Sequence, residues 1–375
     1  MVLAHVLGPG DYGDLATFLN VTAFLVLPGP VVTLLYTRLG RRRGWRARRE
    51  SLALWVGGFA LWGLLAALSG GLGRTLHVSP LLLIIFTVEV IPSLALAANL
   101  GILQRVRWYL WVGLLTVLIT GFRVIAAGLA ALIHAGPLTA VGILEGFAAF
   151  VAFWVSRRWA ARAPWAGEPS NADLISGTAV VGIINVLLAV SDGLLAKHYL
   201  PPIAAGRFNG LATIGHTVQF VSGSFGTVML TSIMADPARR HRFLGLTALV
   251  YGSLAGGAEL LFMTRGRWVV ITVLGAHFST LAPWLAEYGW GMIALGFINI
   301  AMLYSVALKR WEAVATTGLG LVVWVWRLAH AHTIQAYVGI TASTLIAVFA
   351  ATILVMTALQ VYRGWQGPLG RRVRV

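Results

Sequence analysis

The chain has 375 residues, of which 58% are apolar and only 11% charged. A soluble domain carries about 25% charged residues, so a soluble enzyme is excluded. The formal net charge of +16 does not indicate nucleic acid either, because the basic residues stand in short clusters between apolar runs, as topology signals do.

A helix needs about 20 apolar residues to cross a bilayer, and the chain reads as eleven apolar runs near that length. The first, 15–36, contains Pro28 and Pro30, which predict a break near its middle and a hinge candidate. Seven arginines between 38 and 49 follow it. Run two is 52–68. Run three, 80–103, contains Glu89 and Pro92. Run four, 108–133, contains Arg123, and a tight turn at 134–137 leads to run five, 138–155, with Glu145 inside. The polar stretch 156–173 reads as a cytoplasmic linker between two bundles, 1–155 and 174–361.

Runs six to eight are 174–196, 204–234 and 243–264, the last passing into an irregular segment, 265–287. Runs nine to eleven are 289–308, 313–328 and 334–361, before a basic tail, 362–375. The expected fold is therefore all-α and polytopic, with about 11 transmembrane helices arranged five plus six.

Loops on one side, with the tail, hold 21 of the 28 lysines and arginines. This asymmetry puts that side and the C-terminus in the cytoplasm, and the odd count puts the N-terminus outside. No signal-peptide pattern opens the chain.

An internal repeat is visible. Leu7, Pro9 and Gly13 recur as Leu200, Pro202 and Gly206, each set followed by Leu-Ala-Thr. A full span precedes the second copy and only six residues the first, so the pattern reads as six plus six helices without the first. Repeated halves are common in transporters.

No nucleophile, metal or nucleotide motif is present, and the chain has no cysteine. No catalytic residue, cofactor or metal is expected. His330 and His332 read as plain loop residues. Charges inside spans are the better lead, since they are costly there and face a cavity or a partner. Glu89 and Arg123 lie at similar depths on adjacent runs and are expected to meet, either as a structural pair or as a site for an anion or proton. Asp192 and Arg207 flank the outer loop of the repeat, with Lys197 near them at the interface. Glu145 is a second acidic candidate. Glu259 falls towards the outer end of its run, where anchoring is expected.

Four stretches resemble the polysaccharide flippase branch of the multidrug/oligosaccharidyl-lipid/polysaccharide exporter superfamily. LGPGDYGDLATFLNVTAFLVLPGPVVTLLYTR is similar to the segment joining that family's first two helices. NLGILQRVRWYLWVGLLTVLITGFRVIAAGLAALI is similar to its fourth-to-fifth helix region. INVLLAVSDGLLAKHYLPPIAAGRFNGLATIGHTVQFVSGSFGTVML looks like its seventh and eighth helices, and VLGAHFSTLAPWL like the start of a later outer loop. Two departures stand out: the family's first helix has no counterpart, and Arg207 occupies a position that is commonly aromatic.

The resemblance implies a 12-helix exporter lacking its first helix, seated in the cytoplasmic membrane among its lipids. It implies movement of a polyprenyl-pyrophosphate-linked saccharide by alternating access, with Arg123 and Arg207 meeting the pyrophosphate and H+ or Na+ as a possible coupling ion. A cation-coupled multidrug exporter of the same superfamily would use Glu89, Glu145 and Asp192 instead. A non-transporting, degenerate membrane homologue is the third alternative.

Overall fold

The computed structural model describes residues 4–5, 7–39, 44–106, 108–132, 137–163 and 173–370, with Arg123 among those described by backbone alone. Among the described residues every regular element is helical and there is no strand. Nine helices among these residues are long and apolar enough to cross a membrane.

Helices occupy all eleven apolar runs. Run one forms α1 (Pro9–Leu25) and α2 (Pro28–Leu39). The chain breaks between them where expected, because Pro28 and Pro30 lack the N–H groups a continuous helix would use. Run two is α3 (Gly44–Leu76), and run three is α4 (Pro80–Phe86) and α5 (Val90–Arg105) joined by a 3-10 turn at Thr87–Glu89. That second break has the same cause: the ring of Pro92 crowds the carbonyl one turn earlier, and the backbone tightens there. Runs four and five are α6 (Tyr109–Leu132) and α7 (Pro137–Arg162). The helix thus continues into the expected linker, while 164–172 and the turn before Pro137 lie outside the described residues.

The later runs form α8 (Asp173–Tyr199), α9 (Pro202–Ala235), α10 (Arg240–Leu274), α11 (Ala282–Ala307), α12 (Glu312–Ala329) and α13 (Ile334–Gly370). The irregular segment expected at 265–287 is corrected here. The chain is helical through Leu274, departs from helical geometry at Arg265 (φ −132°, ψ 25°), and turns in a 3-10 segment at Ala276–Leu281. Glycine at 275 takes the positive φ of +98° that ends α10.

The helices form two compact units. One unit is Met1–Gly210 with Val270–Thr280, the other Leu211–Val269 with Leu281–Val375. Helix α8 and the start of α9 therefore belong with the N-terminal helices.

In the first unit α2 packs on α5, and α5 on α3 and α7. Thr33 donates to the Ala97 carbonyl at 3.0 Å and Asn99 to the Ser156 hydroxyl at 3.0 Å. Such bonds hold helices together where lipid removes the hydrophobic drive for association. Phe18 stacks on Phe86 at 4.8 Å between centroids, fixing α1 on the end of α4. On α3, Leu52, Val56, Phe59 and Leu68 face outward and suit lipid.

The second unit is built on α11, which is buried at most positions from Tyr288 to Val306. The rest of α9 runs alongside α11 in a constant register: Gly215 meets Met292, Ser222 meets Asn299 and Gly226 meets Leu303. Residue numbers rise together on both helices, so the pair is parallel, and small residues on α9 permit the close approach. Helix α10 runs antiparallel to α11, with Tyr251 edge-on to Phe297 and Glu259 against Gly289.

Candidate functional site

The two copies of the repeat meet in the first unit. Each opens a helix with proline at the first position, Pro9 for α1 and Pro202 for α9, where a missing N–H costs nothing. The flanking Leu7 and Leu200 are both buried. The repeated glycines then touch each other. A Cβ on Gly13 would lie 2.8 Å from the Gly206 Cα, and a Cβ on Gly206 would lie 1.6 Å from the Pro9 carbonyl oxygen. Only glycine permits this approach, which explains why the motif recurs at both positions.

The residues after the two glycines are Asp14 and Arg207, an acid and a base at matching places in the repeat. They do not pair. Asp14 instead accepts from Lys197 of α8, Nζ to Oδ1 at 2.5 Å. Lys197 is only 1% exposed, so the interfacial snorkelling expected of it is corrected: its ammonium is held by Asp14 in the interior of the unit. One turn back on α8, Gly193 brings a third helix in. Its Cβ position lies 2.4 Å from the Asn20 side-chain nitrogen and 2.5 Å from the Asn209 side-chain oxygen. Asn209 donates to the Gly193 carbonyl at 3.4 Å. Asp192 is fully buried beside it and accepts the Gly193 N–H at 2.7 Å.

Helices α1, α8 and α9 thus enclose a polar belt of Asp14, Asn20, Asp192, Lys197 and Asn209. Arg207 stands at its margin, half-buried, with a buried Nε that has no hydrogen-bond partner among the described residues. The sequence singled out Asp192 and Arg207 but missed Asp14. The repeat itself carried the signal, since Asp14 follows Gly13 as Arg207 follows Gly206.

The other acidic candidates share a second location in the same unit. Glu89 ends the 3-10 turn between α4 and α5, half-buried. Helix α7 packs against that turn: Cβ positions at Gly142 and Gly146 lie 2.9 Å from Phe86 and 3.4 Å from Val88. Glu145, between those glycines, is 5% exposed. The side chain of Arg123 lies outside the described residues, and the expected pair with Glu89 with it.

In the second unit, the α9–α11 seam pairs His216 with the Tyr288 hydroxyl at 3.2 Å, and Asn299 donates to Ser222 at 3.1 Å. Arg327 of α12 donates to Thr344 of α13 at 2.6 Å. Glu259 is 2% exposed, so its expected role as an interfacial anchor is corrected. A second helical stretch follows the break at Arg265 and reaches Leu274, so the element does not end where the apolar run does.

No family model matches this sequence. No curated protein matches it either. Solved structures do resemble it. One is a multidrug resistance MATE family transporter of the MOP superfamily in an inward-facing conformation, with a TM-score of 0.73 and 12% identity over 97% of this chain and 93% of that one. Another is the lipid II flippase MurJ in an inward closed conformation, with a TM-score of 0.70 and 13% identity over 96% of this chain and 83% of that one. At these identities the likeness is one of fold, and it spans nearly the whole chain.

Proposed function

We propose that this protein moves a polyprenyl-pyrophosphate-linked saccharide across the cytoplasmic membrane by alternating access. The observation that carries this reading is Arg207, a half-buried cation whose Nε lacks a partner among the described residues, beside a polar belt whose other cation, Lys197, is already neutralised by Asp14. A guanidinium is a planar fork that suits phosphate oxygens, and a site poor in water strengthens the attraction. The fold shared with a lipid II flippase supports a lipid-linked substrate, and Arg123 is a second candidate contact for its pyrophosphate. The break between α1 and α2 supports a hinge at Pro28 and Pro30.

Binding tests this reading. In nanodiscs, Arg207→Ala is expected to weaken a fluorescent polyprenyl-pyrophosphate disaccharide by at least about tenfold, the scale of one charged hydrogen bond. Unchanged affinity would remove Arg207 from the site.

A second reading, export of cationic drugs coupled to H+ or Na+, is favoured by the deep burial of Asp192 and Glu145. It predicts that tetraphenylphosphonium binds and that Glu145→Gln or Asp192→Asn abolishes that binding. Glu89 would contribute to the same acidic set.

The topology in this proposal places the N-terminus outside and the C-terminus in the cytoplasm. The chain has no cysteine, so single cysteines report directly. Asp11→Cys is expected to react with an impermeant maleimide in intact spheroplasts, and Lys309→Cys only after permeabilisation. The reverse pattern would invert the assignment.

A further inference from the structure

Glu259 is a membrane-embedded acid with no part in the site above. It lies on α10, 2% exposed, and neither carboxyl oxygen has a hydrogen-bond partner among the described residues. Its Oε2 sits over Gly289 of α11, where a Cβ would lie 2.1 Å from that oxygen, and Phe262 closes the same spot from α10. The titratable and charged groups around this seam are engaged elsewhere or exposed. Tyr251, two turns back on α10, directs its hydroxyl to the Met292 and Ile293 carbonyls. Tyr288, beside Gly289 on α11, is hydrogen-bonded to His216. Glu287 is exposed and lies against Gly339 of α13. Arg265 and Arg267, further along α10, are exposed.

A lone ionised carboxylate inside a membrane is costly. A charge buried without a partner escapes that cost by becoming neutral. Glycine at 289 gives the carboxyl room without supplying a donor. A metal cation would demand several oxygen ligands, and the side chains at 262 and 289 supply none.

We propose that Glu259 is a proton-binding site, carrying a proton while buried against Gly289 and releasing it to water admitted at the Arg265 break. That break lies six residues further on, about 9 Å along the helix axis. On release the carboxyl O–H bond breaks, its electron pair stays on the carboxylate oxygen, and the proton passes to water. The proposal rests on the transporter reading only for its consequence, that a proton gradient acts on the second unit. Proton binding itself is measurable without any transported substrate.

Infrared spectra of the purified full chain in nanodiscs at neutral pH test it. A carboxylic-acid carbonyl band that shifts in D2O is expected, and Glu259→Gln should remove most of its intensity. Absence of that band from the unaltered protein overturns the proposal without any variant, and so does a band that Glu259→Gln leaves intact. Gly289→Ala keeps the acid but displaces the carboxyl, so the band should move in frequency; an unmoved band contradicts the placement. Loss of the band on adding sodium ions at constant pH would assign the site to a metal cation instead. Failure of probe translocation with the band present would overturn the transporter reading and leave the proton site standing.

Discussion

Gly206→Ala is expected to destabilise the first unit more than any other glycine substitution in the repeat. The added methyl would lie 1.6 Å from the Pro9 carbonyl oxygen, and the obstacle is backbone on both sides. A side chain in the way would rotate aside, but neither α1 nor α9 is free to do so. Overpacking a core costs about 1–3 kcal/mol, occasionally more, and this substitution belongs at or above the upper end. Gly10→Ala provides the control, because nothing lies within 4 Å of its added Cβ. Thermal denaturation in detergent, followed by size-exclusion chromatography, should show a large fall in Tm for Gly206→Ala and little change for Gly10→Ala. Equal behaviour would mean that the two copies of the repeat do not touch.

Breaking the Asp14–Lys197 pair is expected to be comparably severe and unequal between its partners. Removing one member of a buried pair costs about 3–5 kcal/mol, because it strands the other charge. Lys197 is 1% exposed and Asp14 29%, so the stranded lysine is worse placed than the stranded aspartate. Asp14→Ala should therefore lower Tm more than Lys197→Met. The double variant should recover much of the loss, since it strands neither member of the pair. Additive losses in the double variant would show that the two side chains do not interact.

The spans were legible because a membrane helix announces itself through length and apolar composition alone. The break at Pro28 and Pro30 was legible for the same local reason: a missing donor acts within one turn. Pro92 carried an equal signal, yet only the structure shows that it tightens Thr87–Glu89 and puts Glu89 in the turn. Charge misled the reading of α10. Arg265 and Arg267 end the apolar run, but both are exposed, and the helix continues past them to Leu274. Burial against α11, not its place in the run, takes Glu259 from the expected interface into the interior of the unit.

The polar belt was only half legible. Asp192 and Arg207 stood out because charge is rare in apolar runs. The pairing of Asp14 with Lys197 joins residues 183 apart in sequence, and no local pattern reports such a contact. Glu145 was picked out by rarity alone. The two glycines that carry α7 onto the turn of Glu89 gave it a neighbourhood.

Translocation in proteoliposomes tests the central claim most directly. A fluorescent polyprenyl-pyrophosphate disaccharide placed in one leaflet should become accessible to an impermeant quencher on the other side. The rate should depend on the protein and fall at least about tenfold in Arg207→Ala, the worth of one charged contact. Translocation no faster than in protein-free vesicles, with correctly folded and inserted protein, would contradict the account.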